Sequence, residues 1–264
     1  MDLSPSEDAM LGPGAESFRL EEHYFRYFTV KRARTLALRN EGYRLRYQVY
    51  CVEHPHLDPG IYPDGREFDA YDEHSDHSLL VHRTTGVTVG TVRLVLPKSV
   101  PSHEDLPIAK IAPDFCRWMK ANLPVAETAE ISRYAVAKSF RRRVGETFYC
   151  DVGDSGATGR TDLRVMPYIT IGLMRAVLDM SLEHGVTHLC AIMEPALIQL
   201  LRRFGIVFTP VGEPVNFYGR RQPCVSTLVE LAAGVQQHRP DVWETGAMVG
   251  RPAPALAEVG EQVS

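Results

Sequence analysis

Charged residues stand in segments of this sequence that should otherwise be apolar. Glu130 and Arg133 lie in the run EISRYAVAK (130–138), and Arg93 interrupts VTVGTVRLVL (87–96), which alternates as a strand does. Burying an unpaired charge costs more free energy than a strand recovers, so each group needs a polar or oppositely charged partner. These charged residues have two possible roles: they form a buried ion network that only stabilises the fold, or they line a polar cleft that binds a zwitterionic substrate. We favour the cleft, because buried ion pairs are not reliably stabilising.

Candidate partners for these charges stand in two earlier segments. In NEGYRLRYQVYCV, from about Asn40 to Val52, Arg46 and Tyr50 are four residues apart on one face of a predicted helix with Asn40 as its N-cap. A loop rich in proline and glycine follows. The next block, EFDAYD, supplies three carboxylates: Glu67, Asp69 and Asp72.

Hydrophobic periodicity predicts alternating strands and helices around these residues. A hairpin comes first, with strands 78–83 and 87–96 joined through Gly86. The later elements are a helical region at 104–122, a strand at 130–138, a helix at 166–185, a strand at 187–193, a short helix at 194–204, strands at 206–210 and 224–231, and a terminal helix. This order predicts a single α/β domain with a mixed central sheet and helices on both faces.

Length and composition set the class of protein. At roughly 150 residues per domain, 264 residues make one large domain or two small ones, and 44% hydrophobic with 23% charged residues is typical of a globular chain. The net charge of −4 gives no global basic field, which argues against nucleic acid as a partner. We predict mobile tails at 1–17 and 245–264, rich in glycine, proline and alanine, around a domain at 18–244. No apolar run is long enough for a transmembrane segment.

The five cysteines are scattered and odd in number, which indicates reduced thiols and a cytoplasmic protein. A metal site is an alternative that the same region raises, because it is rich in potential zinc or iron ligands: Cys51, His54, His56, His74, Asp76 and His77. Their spacing matches no standard zinc set, so we expect no metal. Stoichiometric zinc would instead favour a hydrolase.

The order of the charged segments resembles the signature of acyl-homoserine lactone synthases. The ordered pieces are Arg46-x-x-x-Tyr50, EFDAYD at 67–72, GTVRL at 90–94 and EISR at 130–133. They are more similar still to the related bacterial long-chain N-acyl amino acid synthases, including the acyltransferases associated with the PEP-CTERM/exosortase system. The resemblance runs from about residue 40 to residue 230.

This resemblance implies a single domain of the GNAT (acyl-CoA N-acyltransferase) fold and a substrate site built from the matching residues: Arg46, Glu67, Asp69, Asp72, Arg93, Glu130 and Arg133. Tyr50 joins that set from the helix face of Arg46. Lactone synthases carry a tryptophan some ten residues after the first arginine, in the binding site for S-adenosylmethionine, where this chain has His56. That departure favours an amino acid as the acceptor. A lactone synthase that uses S-adenosylmethionine remains the alternative.

The implied activity is transfer of a long-chain fatty acyl group to an amine. Glu130 is our first candidate for the general base, with Glu67 and Asp69 as rivals, and Ser132 is a candidate proton donor to the leaving thiolate. Backbone amides near Arg133 would stabilise the oxyanion. Arg93 or Arg133 would hold the carboxylate of the acceptor as a bidentate clamp.

The resemblance implies acyl carrier protein as the partner and its phosphopantetheine thioester as the donor, with acyl-coenzyme A as an alternative donor and no bound cofactor. GNAT proteins bind the pantetheine pyrophosphate with an Arg/Gln-x-x-Gly-x-Gly/Ala turn. At the corresponding position, directly after the strand 130–138, this chain has Arg141, Arg142, Arg143, Val144 and Gly145. The arginines are either a solvated surface run or a positive patch for the phosphate and the carrier protein. Further arginines would extend such a patch: Arg202, Arg203, Arg220 and Arg221.

Two further alternatives remain open. Apolar residues of the helix at 166–185 either line an acyl slot or form an ordinary core, which we favour: Met166, Ile169, Leu173, Met174, Val177 and Met180. The fold could also serve without catalysis, as a module that binds acyl carrier protein. Turnover separates that module from an enzyme.

Overall fold

The computed structural model describes residues 27–141 and 165–240, apart from the side chains of 141 and 165–167. The predicted tails at 1–17 and 245–264 lie outside these residues. Eight strands are described: β1 (Phe28–Arg32), β2 (Ser75–His82), β3 (Thr88–Val95), β4 (Thr128–Val136), β5 (His188–Met193), β6 (Thr209–Pro210), β7 (Val215–Asn216) and β8 (Arg220–Thr227).

The strands form a mixed sheet in the order β1-β2-β3-β4-β5-β8-β6, with β7 paired to β8. The β4–β5 pair is parallel and the other pairs are antiparallel. The central hairpin of β2 and β3 turns at Gly86, whose φ of 70° suits glycine there. The predicted α/β domain with a mixed sheet is thus confirmed.

Helices cover both faces of this sheet. The described helices are α1 (Leu36–Tyr47), which runs into a π-helical turn at Gln48–Glu53, α2 (Pro107–Ile111), α3 (Pro113–Asn122), α4 (Lys138–Arg141), α5 (Val165–Glu183), α6 (Pro195–Arg202) and α7 (Leu228–His238). Helices α5, α6 and α7 share one apolar core with β1–β5, whereas α2 and α3 pack over Val95 and Cys190 on the opposite face. None of the described helices is both long enough and apolar enough to cross a membrane.

The main core is built by α5 lying close over β3. A Cβ added at Gly90 would stand 3.2 Å from Leu173 Cδ1 and 3.3 Å from the Ala135 carbonyl, so glycine permits the close approach of this helix. The α5 residues considered for an acyl slot are at most 1% exposed: Ile169, Leu173, Met174, Val177 and Met180. They are core residues, while the side chain of Met166 lies outside the described part.

Several element boundaries differ from those predicted. Helix α1 begins after Thr35, whose hydroxyl caps the Leu38 N–H, and Asn40 lies inside the helix. The predicted strand 224–231 ends at Thr227, because Thr227 and Glu230 form a reciprocal capping box that starts α7. The predicted strand at 206–210 is reduced to β6. Strands β1 and β7 were not predicted.

Candidate active site

The parallel strands β4 and β5 separate halfway along their length. Their pairing runs from Thr128–His188 to Ile131–Ala191, after which β5 continues with β8 and β4 continues with β3. Within the described residues, β4 therefore has no β5 partner from Ser132 onward. The split leaves the β5-facing edge of β4 without a strand partner, and this opening between the two strands is the cleft.

A β-bulge on β4 lies at the start of this cleft. Thr91 pairs with Ala135 and Arg93 pairs with Ser132, so β4 contains one more residue than β3 between these two pairs. Arg133 falls in the bulge with a φ of 49°, a left-handed conformation that costs a residue with a Cβ roughly 1–2 kcal/mol. The bulge redirects the Arg133 side chain towards the acidic block, where ion pairs hold it.

The acidic block is shaped by its own backbone. Asp69 caps the short 3₁₀ helix at Ala70–His74: its carboxylate accepts the Tyr71 N–H at 2.9 Å, and Asp72 accepts the Asp69 N–H at 2.7 Å. This reciprocal cap fixes both aspartates side by side. The spacing of Asp69 and Asp72 within EFDAYD thus places their carboxylates next to each other.

Arg46 lies at the centre of the predicted ion network and is only 1% exposed. Its Nε donates to Glu67 Oε2 at 2.5 Å, and its two terminal nitrogens donate to the two Asp72 oxygens at 2.7 and 3.0 Å. Such bidentate pairing is what a buried guanidinium requires. Arg46 is thus fully engaged with carboxylates of this chain.

The other two arginines complete the network. Arg93 Nη1 donates to Asp69 at 2.6 Å and to Asp72 at 2.9 Å, and its Nε donates to the Ser132 hydroxyl at 2.9 Å. Arg133 donates to Glu67 and to Asp69, both at 2.9 Å through Nη2. Three guanidinium groups thus meet three carboxylates, so the network as a whole is neutral.

Burial and these ion pairs have opposite effects on the carboxylates. Burial by itself raises the pKa of Glu67, Asp69 and Asp72, but the neighbouring arginines outweigh it and hold each pKa below its usual value. All three are therefore ionised at neutral pH. Carboxylates held in this way are poor general bases, which weakens Glu67 and Asp69 as rivals for that role.

Glu130 stands apart from the arginines. Glu130 is buried, with 4% of its surface exposed, and its carboxyl group accepts a hydrogen bond from the Ile108 N–H of α2 at 2.7 Å. Burial raises its pKa to about 8, with the Ile108 bond and the Arg93 charge opposing that rise. The predicted pairing of Glu130 with an arginine is wrong, because a backbone amide supplies its hydrogen bond instead.

Ser132 and Tyr50 extend the site along the cleft. Ser132 lies two residues after Glu130, so the two side chains emerge on the same face of β4. Its hydroxyl accepts from Arg93 and keeps its own proton to donate. The Tyr50 hydroxyl donates to the Tyr134 carbonyl at 3.2 Å, and its ring lies 5.8 Å from the Arg133 guanidinium.

Most of the predicted donor site is outside the described residues. Arg142, Arg143 and Gly145 fall there, and of Arg141 only the backbone, at the end of α4, is described. Arg202, the last residue of α6, and Arg203 after it are exposed, whereas Arg221 pairs with Glu194 at 2.9 Å.

The potential metal ligands are dispersed. His56 stacks on Tyr218 at 5.0 Å, Asp76 binds Arg32 and His184, and His77 lies 3.5 Å from Asp72. Burial lowers the pKa of His77 to about 4, so this ring is neutral. Among the described residues, no three histidines, cysteines or carboxylates are grouped as a metal site would need. The four described cysteines are free and buried: Cys51, Cys116, Cys190 and Cys224.

Sequence reasoning missed Tyr71 and Lys110. The Tyr71 ring lies 6.0 Å from the Arg93 guanidinium and 5.3 Å from Lys110 Nζ. Tyr71 lies inside the acidic block and was passed over as an aromatic residue between two acids. Lys110 has no sequence signal, because tertiary contacts of α2, among them the Glu130–Ile108 hydrogen bond, bring it to the site.

Comparisons with known proteins agree on the GNAT fold. Residues 45–150 match a family model described as an acetyltransferase (GNAT) domain. A search of curated proteins found no match.

Solved structures give the same result. The CoA-dependent acyl-homoserine lactone synthase BjaI, solved with SAM and isopentyl-CoA, is 22% identical, covers 89% of this chain and 99% of its own, and has a TM-score of 0.53. FeeM, an N-acyl amino acid synthase from uncultured soil microbes, is 15% identical with 80% and 96% coverage and a TM-score of 0.52. The AHL synthase LasI is 17% identical with 79% and 96% coverage and a TM-score of 0.50. At these identities the likeness establishes the fold that the resemblance implied.

Proposed function

We propose, from the match of residues 45–150 to a GNAT acetyltransferase domain, that this chain is an N-acyltransferase which moves a long-chain fatty acyl group from a phosphopantetheine thioester to the amine of an amino acid. The observation that carries the proposal is the position of Glu130, a buried carboxyl with a raised pKa at the foot of the cleft between β4 and β5. Its environment suits proton transfer from an amine.

The cleft suits a thioester donor. An extended pantetheine arm has amide groups that can pair with the unpaired edge of β4, in place of the missing strand. That pairing would bring the thioester carbonyl beside the backbone amides after Ser132, where the bulge leaves N–H groups for the developing oxyanion.

The reaction is a direct acyl transfer. The nitrogen of the acceptor attacks the thioester carbonyl carbon, a C–N bond forms, and the C–S bond breaks as the tetrahedral intermediate collapses. The ammonium group of the acceptor first gives one proton to solvent. Glu130 takes a second proton from the attacking nitrogen, directly or through a water molecule, and then passes it to solvent. The leaving thiolate takes a proton from the Ser132 hydroxyl, which solvent then replaces. The products are the N-acyl amino acid, the free thiol and one proton from the original ammonium group.

Two features favour an amino acid as the acceptor. FeeM, which has this fold, is an N-acyl amino acid synthase. His56 of this chain occupies the position where the resembled lactone synthases have the tryptophan of their S-adenosylmethionine site, and it stacks on Tyr218. Acyl carrier protein is our proposed donor partner, with the arginines at 141–143 as its contact. BjaI is CoA-dependent, so acyl-coenzyme A is the donor to compare.

The test offers the purified protein two donors and two classes of acceptor. Dodecanoyl and hexadecanoyl groups are supplied on acyl carrier protein or on coenzyme A, with the twenty amino acids or S-adenosylmethionine as acceptors. Thiol release is followed with a chromogenic thiol reagent, and products are identified by mass spectrometry. We expect thiol release to depend on an amino acid, and the product mass to be that of its N-acyl derivative.

The matched variants are Glu130→Gln and Glu213→Gln, the second in an exposed loop. The first should lose activity by roughly 10²–10⁴-fold, and the second should keep it. Release only with S-adenosylmethionine would instead identify a lactone synthase. Binding of the carrier protein without release from any acceptor would identify a non-catalytic module.

A further inference from the structure

Three hydrogen-bond donors around the Tyr71 ring lack an acceptor in the described part of the protein. The Tyr71 hydroxyl and Arg93 Nη2 are both buried and have no hydrogen-bond partner among residues 27–141 and 165–240. Lys110 Nζ contacts the ring at 5.3 Å, and the Arg93 guanidinium lies 6.0 Å from the ring centre. Buried polar groups are nearly always satisfied, so two orphan donors beside one cation suit an acceptor from outside the described residues, such as a bound ligand.

The charge balance of the site gives the sign of that acceptor. The network of Arg46, Arg93 and Arg133 is already neutralised by its three carboxylates. In the same region Lys98 pairs with Asp105 and Lys120 pairs with Glu104. Lys110 has no such carboxylate among the described residues, so its ammonium group is available to an anion at the rim of the site.

Lys110 is also tied to the proposed base. It stands two residues after Ile108, whose N–H holds Glu130 at 2.7 Å. An α-amino acid carries its amine and its carboxylate on one carbon atom. A carboxylate held near Tyr71 and Lys110 would therefore leave the amine within a short distance of the Glu130 side of the cleft.

We propose that Lys110, the Tyr71 hydroxyl and Arg93 Nη2 form the subsite that binds the carboxylate of the acceptor. The proposal rests on the proposed N-acyltransferase function. It assigns to Lys110 a part in recognising the negative charge of the acceptor, a role that the sequence analysis gave to Arg93 or Arg133. The exposed Lys110 can adapt to acceptors with different side chains, while the buried Tyr71 hydroxyl and the buried Arg93 keep the carboxylate in one place.

The experiment compares acceptors that differ only in this carboxylate. Glycine, leucine and phenylalanine are each paired with their primary carboxamides, which keep the amine but lose the negative charge. Thiol release is measured for the wild type, Lys110→Met and Lys110→Arg. In Lys110→Met we expect KM for the amino acids to rise by roughly tenfold or more, since a hydrogen bond to a charged group is lost. The kcat, and all constants for the carboxamides, should stay nearly unchanged.

The controls separate a carboxylate contact from a structural effect. Lys110→Arg should recover most of the loss, and Tyr71→Phe should raise KM for the amino acids but not for the carboxamides. Lys31→Met, an exposed lysine on β1, should behave as the wild type. Equal losses for amino acids and carboxamides, or no loss with either, would overturn the subsite and leave the N-acyltransferase standing. A wild type inactive with every acceptor would overturn both.

Discussion

Replacing Glu130 by glutamine should make the protein more stable and inactive at once. The carboxyl of Glu130 has a pKa near 4.5 when unfolded and about 8 in the fold, because burial disfavours its charged form. Between these values the folded protein holds a proton that the unfolded chain has released. Stability therefore falls as pH rises from 4.5 to 8, by roughly 1.4 kcal/mol per pH unit, and levels off above pH 8.

Glutamine removes this pH-dependent cost, because its amide is neutral at every pH and its oxygen can still accept the Ile108 N–H. At pH 7 the variant should be more stable than the wild type by about 3 kcal/mol. The assay is urea unfolding of both proteins at pH 5, 6, 7 and 8, followed by circular dichroism. The difference in unfolding free energy should be small at pH 5 and should grow steadily to pH 8.

The kinetic half of the prediction uses the same group. A base with a pKa of about 8 must lose its proton before it acts, so kcat/KM of the wild type should rise with pH up to about 8 and then level off. The glutamine variant should lose that rise together with most of its activity. A stability difference that does not change with pH would refute the raised pKa. Full activity of the variant would remove Glu130 from the role of base.

Three other predictions concern the network and the core. Arg46→Ala should destabilise the protein by about 3–5 kcal/mol, because it leaves Glu67 and Asp72 buried without their shared partner; urea unfolding at pH 7 measures this, and a loss below ~1 kcal/mol would mean that the pairs are exposed to solvent. The lowered pKa values of the network carboxylates should stabilise the fold above about pH 4, the ordinary pKa of a carboxyl group, and this stability should be lost as pH falls further. Unfolding free energies measured between pH 2 and pH 5 check it. In Arg46→Ala the unfolding free energy should depend less on pH in this range. Leu173→Ala should cost about 2–5 kcal/mol as a core cavity without changing the preferred acyl chain length; a shifted chain-length profile in the thiol-release assay would instead place the acyl slot at α5.

Local patterns in the sequence predicted most of the elements, and the failures have both local and tertiary causes. The hairpin of β2 and β3 and the long helix α5 follow from β-branched alternation and from apolar spacing, so their positions are confirmed within a few residues. The segment 228–231 was assigned to a strand on its apolar character, yet the capping box of Thr227 and Glu230 made it helical. Strand β1 exists only because β2 offers it an edge for pairing.

The sequence by itself determined that the arginines in apolar segments must meet the acidic block. Arginines and acids in apolar segments cannot be buried alone, so the contacts of Arg93 and Arg133 with the acidic block could be predicted from composition and burial. The spacing of Asp69 and Asp72 also encodes their side-by-side placement, because the two residues cap one turn of helix.

Only the tertiary structure decided how these charges are divided. Glu130 and Glu67 are both buried glutamates, and burial raises the pKa of each. Glu67 lies among arginines that outweigh burial and lower its pKa, whereas Glu130 is held by a backbone amide and its pKa stays raised. The opening between β4 and β5, the bulge at Arg133 and the approach of Lys110 to Tyr71 depend on contacts between distant segments. A linear pattern carries no record of such contacts, since each depends on the packing of the whole sheet and its two layers of helices.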